Sequence, residues 1–164
     1  MKFILALCLT LLSTTAYMHA GGPQGRTFGF GLIAGEPYGG TVKFWSGSST
    51  AVAIGVGGSY YGSLRVGGDY LWHFDAFNSS QFNLYAGPGV VLGFGTFHNG
   101  WWYTNDRWVR ASGDVGVAIR GVVGVDFSPR NSAIEMFVEA GPLVNLSPGS
   151  FSAFDFAIGA RYYP

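Results

Sequence analysis

Cysteine is nearly absent from this chain: among 164 residues the one cysteine is Cys8, inside the apolar stretch 3–12. A mature protein lacking that stretch has no disulfide, no thiol nucleophile and no thiolate metal site. The residues before Cys8, Leu5-Ala6-Leu7, also lack the small residue expected ahead of a lipid-modified cysteine. Charge is scarce as well. Only 11% of residues are charged, against roughly 25% in ordinary soluble domains. Formal net charge is zero, and without Lys2 there are 8 basic side chains against 9 acidic ones, with no basic patch or charged tail. Nucleic acid is therefore not an expected partner. Long apolar runs are missing too: beyond residue 20, no stretch approaches the roughly 20 residues that a membrane-spanning helix needs. Glycine, at 27 residues, interrupts every segment.

The N-terminus has the order of an export signal. Met1-Lys2 gives a basic start, residues 3–12 an apolar core, and residues 13–20 a small-residue region. Cleavage after Ala20 is expected, with Ala16 the second candidate. Residues 1–20 are thus read as a signal peptide and residues 21–164 as one domain.

Abundant instead are aliphatic and aromatic residues, 48% hydrophobic and 17% aromatic, arranged with a period of two. Near the C-terminus, Phe154, Phe156, Ile158, Ala160 and Tyr162 share one face, and Ala153, Asp155, Ala157, Gly159 and Arg161 the other. Period two means strand. The pattern predicts strands at 27–35, 40–45, 51–60, 63–75, 81–94, 115–127, 133–146 and 151–163. Eight is an even number, as a closed antiparallel barrel with both ends on one side prefers. The segments WSGSST, AFNSS and SPRNS follow even-numbered strands and are short and rich in turn formers. The one long connection, residues 95–114, follows an odd-numbered strand, on the side where outer-membrane barrels carry their long loops.

Charge assigns the faces. In the fourth strand Leu64, Val66, Tyr70, Trp72 and Phe74 oppose Arg65, Asp69, His73 and Asp75; in the sixth and seventh, Arg120, Asp126, Glu135 and Glu139 oppose Val117, Ile119, Val123, Val125, Ile134, Met136 and Val138. Turned toward lipid near mid-membrane, each Arg or Lys would cost roughly 2–4 kcal/mol. The charged face is therefore expected to point inward. An all-β, eight-stranded antiparallel up-and-down transmembrane β-barrel results, whose interior is just wide enough for side chains to fill. The expected lumen network is Lys43, Arg65, Asp69, His73, Asp75, Arg120, Asp126, Glu135, Glu139, Asp155 and Arg161. Six acids against four bases call for a water or a protonated carboxyl to complete it. Aromatics near the strand ends, Tyr38, Tyr60 and Phe151 at one rim and Trp45, Trp72, Phe74, Phe82, Phe127 and Tyr162 at the other, are expected to form interfacial girdles.

The motifs Gly35-Glu36-Pro37, Asp69-Tyr70-Leu71-Trp72-His73-Phe74, Tyr85-Ala86-Gly87-Pro88-Gly89, Ile119-Arg120-Gly121-Val122, Asp126-Phe127-Ser128-Pro129, Phe137-Val138-Glu139-Ala140-Gly141-Pro142 and Gly159-Ala160-Arg161-Tyr162-Tyr163 form a set. In this order they resemble a family of small bacterial outer-membrane β-barrels, similar in size to OmpX and the OmpA membrane domain, most of whose members have no assigned activity. The resemblance runs from about Gly29 to the C-terminus, excluding residues 95–114. It implies residence in the bacterial outer membrane, contact with outer-membrane lipid, and assembly by the barrel-assembly machinery. The last strand is similar to the signal that machinery reads, with Gly159 and Tyr162 at matching positions. The chain departs from it by ending in Pro164 after Tyr163.

The leading expectation for function is a non-enzymatic barrel with a structural or adhesion-like role through its outer loops. In residues 95–114, Trp101, Trp102, Tyr103, Arg107, Trp108 and Arg110 suit contact with an extracellular protein or glycan; the alternative is that these aromatics cover the membrane rim. A second class is an outer-leaflet enzyme acylating or deacylating lipid A, for which His98, Ser112 and Asp106 or Asp114 are the candidate groups, although no spacing brings them together. A third is a soluble lipocalin-like periplasmic carrier, which would need a polar exterior. His73 between Asp69 and Asp75 shares a strand face with both, but a hydrogen-bond network accounts for it better than a metal. No cofactor is expected.

Overall fold

The structure is a computed structural model, and it describes residues 21–95, 115–147 and 152–164. Eight strands follow one another: β1 Phe28–Gly35, β2 Tyr38–Trp45, β3 Thr50–Gly58, β4 Leu64–Phe74, β5 Phe82–Phe94, β6 Gly116–Phe127, β7 Ile134–Ser147 and β8 Ser152–Tyr162. Each pairs antiparallel with its sequence neighbour, and β1 pairs with β8 to close the barrel. The closing seam runs from Phe30 opposite Tyr162 to Gly35 opposite Ala157. Closure satisfies the backbone donors and acceptors that an edge strand would leave free. The all-β, eight-stranded, up-and-down barrel expected from the alternation is thus the observed fold.

Side-chain direction follows the period of two. Along β8, Phe154, Phe156, Ile158, Ala160 and Tyr162 are exposed, while Ala153, Asp155, Ala157 and Arg161 are buried. The same division runs through β4, β6 and β7. The exterior is apolar: Leu32 is 74% exposed, and Phe30, Val90, Val123, Val138, Phe156 and Ile158 are all open to the surroundings. The interior holds ionic side chains between three small apolar layers. Ile33, Ala53, Leu71, Tyr85, Val122, Phe137 and Ala157 form the middle one; Tyr60, Tyr61, Val91, Ala118, Leu143 and Ala153 lie toward one mouth; Trp45, Ala51 and Tyr163 lie toward the other.

Strand ends differ from the expectation in informative places. β2 begins at Tyr38 rather than residue 40, which shortens the first connection to Glu36-Pro37. β3 ends at Gly58, and the chain then turns inward, so Tyr60 is buried instead of standing on the outer rim. Trp45 shares the parity of Lys43, and for that reason it also points inward, 4% exposed, and belongs to no outer girdle. Trp72, Phe74, Phe82 and Tyr162 do stand outside at that end, Tyr38 stands outside at the opposite end, and Phe127 is half-buried beside Phe82, their ring centroids 4.6 Å apart. Phe151, the signal segment 1–20 and residues 96–114 lie outside the described residues.

Candidate functional site

The interior ions form two clusters. In the one nearer Trp45, the Lys43 ammonium donates to Asp126 Oδ2 at 3.2 Å and to Glu135 Oε2 at 3.0 Å. Arg161 donates from Nη1 to Glu135 Oε1 at 2.7 Å, and from Nε and Nη2 to the Thr41 hydroxyl. Tyr163 donates its hydroxyl to Glu135 Oε2 at 2.9 Å, and Asn83 its amide to Asp126 Oδ1 at 3.0 Å. His73 Nε2 lies 3.3 Å from Asp126 Oδ2, with the ring 4.2 Å from Trp45 and 5.4 Å from Tyr85. Two cations thus face two carboxylates across four strands, β2, β6, β7 and β8. All four ions are almost wholly out of water, where unpaired charge would be expensive.

The second cluster is built on Arg120. Its Nε and Nη2 form a fork onto the two Asp69 oxygens at 2.8 and 2.9 Å, Nη2 also donates to Glu139 Oε1 at 2.8 Å, and Nη1 reaches Asp155 Oδ2 at 3.3 Å. Arg65 holds Asp155 from the other side, and Tyr85 donates to Glu139 Oε2 at 2.9 Å. A planar guanidinium with five donors is the residue type that can serve three carboxylates at once. Between the clusters a polar cavity of about 20 Å³, lined by Thr41, Arg65, Asp69, Arg120, Glu139 and Arg161 among others, has room for about one water.

Both mouths are covered. At one, Tyr60 donates to Asp155 Oδ1 at 2.6 Å, and Tyr61 to the Asn145 side-chain oxygen. The loop carrying them is tied down where Glu36 accepts from Ser59 Oγ and from the Tyr60 amide. Burial pushes the Tyr61 phenol up to about 12, and burial together with the Asp155 charge raises Tyr60 well above its ordinary value. Both hydroxyls therefore stay protonated donors. At the other mouth, the Trp45 indole donates to Tyr163 Oη at 3.2 Å, and the Lys43 ammonium sits 4.5 Å from the Trp45 ring centre.

Ten of the eleven expected network residues come together inside. Asp75 does not. It follows the last residue of β4, is exposed, and accepts from the Ser79 amide in a turn, because the strand parity that would aim it inward has already ended. The interior thus carries five carboxylates rather than six. With Asp75 outside, His73 also has no carboxylate on each side, and among the described residues no three His, Cys, Asp or Glu side chains are grouped to hold a metal. Sequence reasoning missed the neutral members: Thr41, Trp45, Tyr60, Tyr61, Asn83, Tyr85 and Tyr163. Their parity relative to Lys43, Asp126 and Glu139 was available as a signal for those within strands.

Gly159 is half-buried on the inner face beneath the Phe137 ring, and Tyr162 is exposed with its ring edge-on to Phe30 at 6.1 Å. Trp101, Trp102, Tyr103, Arg107, Trp108 and Arg110 lie outside the described residues, as do His98, Asp106, Ser112 and Asp114. Comparison of the chain with models of protein families, with curated proteins and with solved structures finds no match.

Proposed function

We propose that the chain is an integral protein of the bacterial outer membrane, non-enzymatic, whose barrel is an anchor and whose outer loops, chiefly 95–114, make its contacts. The observation that carries this reading is the inversion of the barrel: ions inside, and aliphatic and aromatic side chains across the exterior of all eight strands. Monomeric soluble proteins rarely expose contiguous apolar surface beyond a few hundred Å². Lipid is the solvent that such a surface fits, and a closed barrel satisfies the backbone hydrogen bonds that lipid cannot. Exposed aromatics at the Trp45 end, Phe28, Phe44, Trp72, Phe74 and Phe82, have the composition of an interfacial belt.

A soluble carrier would need an apolar chamber, whereas this interior holds paired ions, packed rings and a 20 Å³ polar cavity. An enzyme would need a nucleophile beside a base. His73, the one histidine among the described residues, lies against Asp126, Trp45 and Tyr85, and the Tyr85 hydroxyl is engaged in donating to Glu139. The anchor reading is tested by fractionating cells and running the membrane fraction with and without boiling. It expects a band that resists salt extraction, dissolves in detergent and shifts on heating. A soluble band with no shift would overturn it. Deletion of residues 96–110 should then leave the heat shift intact and abolish binding to whatever surface the full chain binds; retained binding would remove the loop from the proposal.

A further inference from the structure

Residues 21–27, just before β1, cross the mouth that Trp45 and Tyr163 line. The Gly21 amide donates to the Gly47 carbonyl at 3.3 Å. Gly22 and Pro23 are buried, and residues 23–25 make a single 3-10 turn. Arg26 then donates from Nη1 to the Tyr163 carbonyl, and the Thr27 carbonyl accepts from the Trp45 amide at 2.8 Å. The segment is tied to β2, to the β2–β3 turn and to the residue after β8. Beyond it, a polar cleft separates residues 21–24 from Ser80, Asn83 and the β6–β7 turn.

The fit is close enough to exclude side chains. A Cβ on Gly21 would lie 2.1 Å from the Ser48 carbonyl oxygen and 2.7 Å from the Trp45 ring. One on Gly22 would lie 2.1 Å from the Arg26 carbonyl oxygen and 2.8 Å from the indole. Directly below come Trp45 and Tyr163, and below them Lys43, Asp126 and Glu135.

We propose that residues 21–27 are a strap that seals this mouth and keeps water from the Lys43–Asp126–Glu135 cluster, the counterpart of the Tyr60–Tyr61 cover at the other end. A solvated cluster would lose the low local dielectric that makes its pairs strong, so the strap protects the pairs that bind β2, β6 and β7 together across the lumen. The inference rests on the barrel interior alone and holds whether or not the exterior meets lipid.

Lysine supplies the probe, because Lys43 is the one lysine after Lys2. The full chain, folded in detergent micelles, is treated with a water-soluble amine-acylating reagent, and Lys43 modification is followed by peptide mass spectrometry. Folded protein should leave Lys43 unmodified while denatured protein is labelled. In Gly22→Leu, which the strap cannot accommodate, the labelling rate should rise by about tenfold or more as the mouth opens locally. Arg26→Ala, which removes one tie without adding bulk, should move the rate the same way, and it decides the matter if Gly22→Leu loses the heat-dependent mobility shift of the folded barrel. Tyr60→Ala/Tyr61→Ala should leave Lys43 protected, because the Tyr85–Phe137–Leu71 layer stands between. The proposal is overturned if folded wild-type protein labels as fast as denatured, if the folded strap variants stay fully protected, or if opening the Tyr60 mouth exposes Lys43 equally.

Discussion

The Phe137 ring lies over Gly159, its cross-strand partner in the β7–β8 pair, and a Cβ at that glycine would come 2.4 Å from the ring and 2.5 Å from the Leu32 carbonyl oxygen. The Arg161 guanidinium stacks on the same ring, 3.8 Å from its centre. Tyr85 and Gly124 repeat the arrangement across β5–β6. At both places a large inward ring fits because the facing strand gives up its side chain.

Gly159→Val should therefore destabilise the folded barrel by about 1–3 kcal/mol, the usual cost of overpacking. Adding Phe137→Ala should recover only part of this, because the Leu32 carbonyl remains in the way. Urea unfolding in detergent micelles reads both. The same experiment separates packing from a part in assembly alone, since refolding of purified chain uses no assembly machinery and would leave a pure recognition residue silent.

Most of the barrel was legible because strand parity is a strict code. Once Arg65, Arg120 and Arg161 had to share an interior, the direction of every residue two positions away followed, and the structure keeps that direction through β4, β6, β7 and β8. Parity says nothing once a strand stops. Tyr60 and Asp75 sit one or two residues past the ends of β3 and β4, and the turns there send one inside and the other out. Trp45 lies within its strand and was readable, but its ring suggested a membrane interface while its position, two after Lys43, pointed to the lumen. The pairing of Arg120 with three carboxylates was not legible, because it depends on strand register, fixed by the closing of β1 on β8.

The outer face makes its own prediction. Val123→Arg and Ile158→Arg place a charge on outward positions of β6 and β8 that are about half exposed. In lipid bilayers each should cost roughly 2–4 kcal/mol of folding stability if it lies near the midplane, falling toward zero near the interfaces. Folding titrations into lipid vesicles measure this. A change within a few tenths of a kcal/mol at both positions would mean that these faces do not meet hydrocarbon.

The tyrosine cover should titrate late. Tyr61 holds its proton up to about 12, and Tyr60 is raised further by the Asp155 carboxylate, whereas unfolded tyrosine ionises near 10. The folded state thus binds these protons more tightly. Their contribution to stability is full below about pH 10 and is lost as the pH rises through the folded-state values. In an ultraviolet titration of the folded protein, at least two of the nine tyrosines should fail to ionise with the free ones. Tyr60→Phe/Tyr61→Phe should shrink that late step by two tyrosines, and it should cost about 1.5–3 kcal/mol at neutral pH for the bond to Asp155.

Arg120 should be the costliest single truncation of the interior. It is the shared partner of Asp69, Glu139 and Asp155, and Arg65 is the other cation bound to Asp155. Arg120→Met would leave Asp69 without either of its charged hydrogen bonds in a site out of water, a loss of about 3–5 kcal/mol. Arg120→Lys keeps the charge but not the fork, so it should fall between the variant and the wild type. The decisive measurement is a double-mutant cycle with Asp69→Asn. If the cost of Arg120→Met is mainly the stranded Asp69 charge, neutralising Asp69 in that background should restore stability, so that the double variant loses less than the sum of the singles. Strict additivity would instead assign Arg120 a packing role, filling the space between β4, β6 and β7 with its stem, independent of the carboxylates it touches.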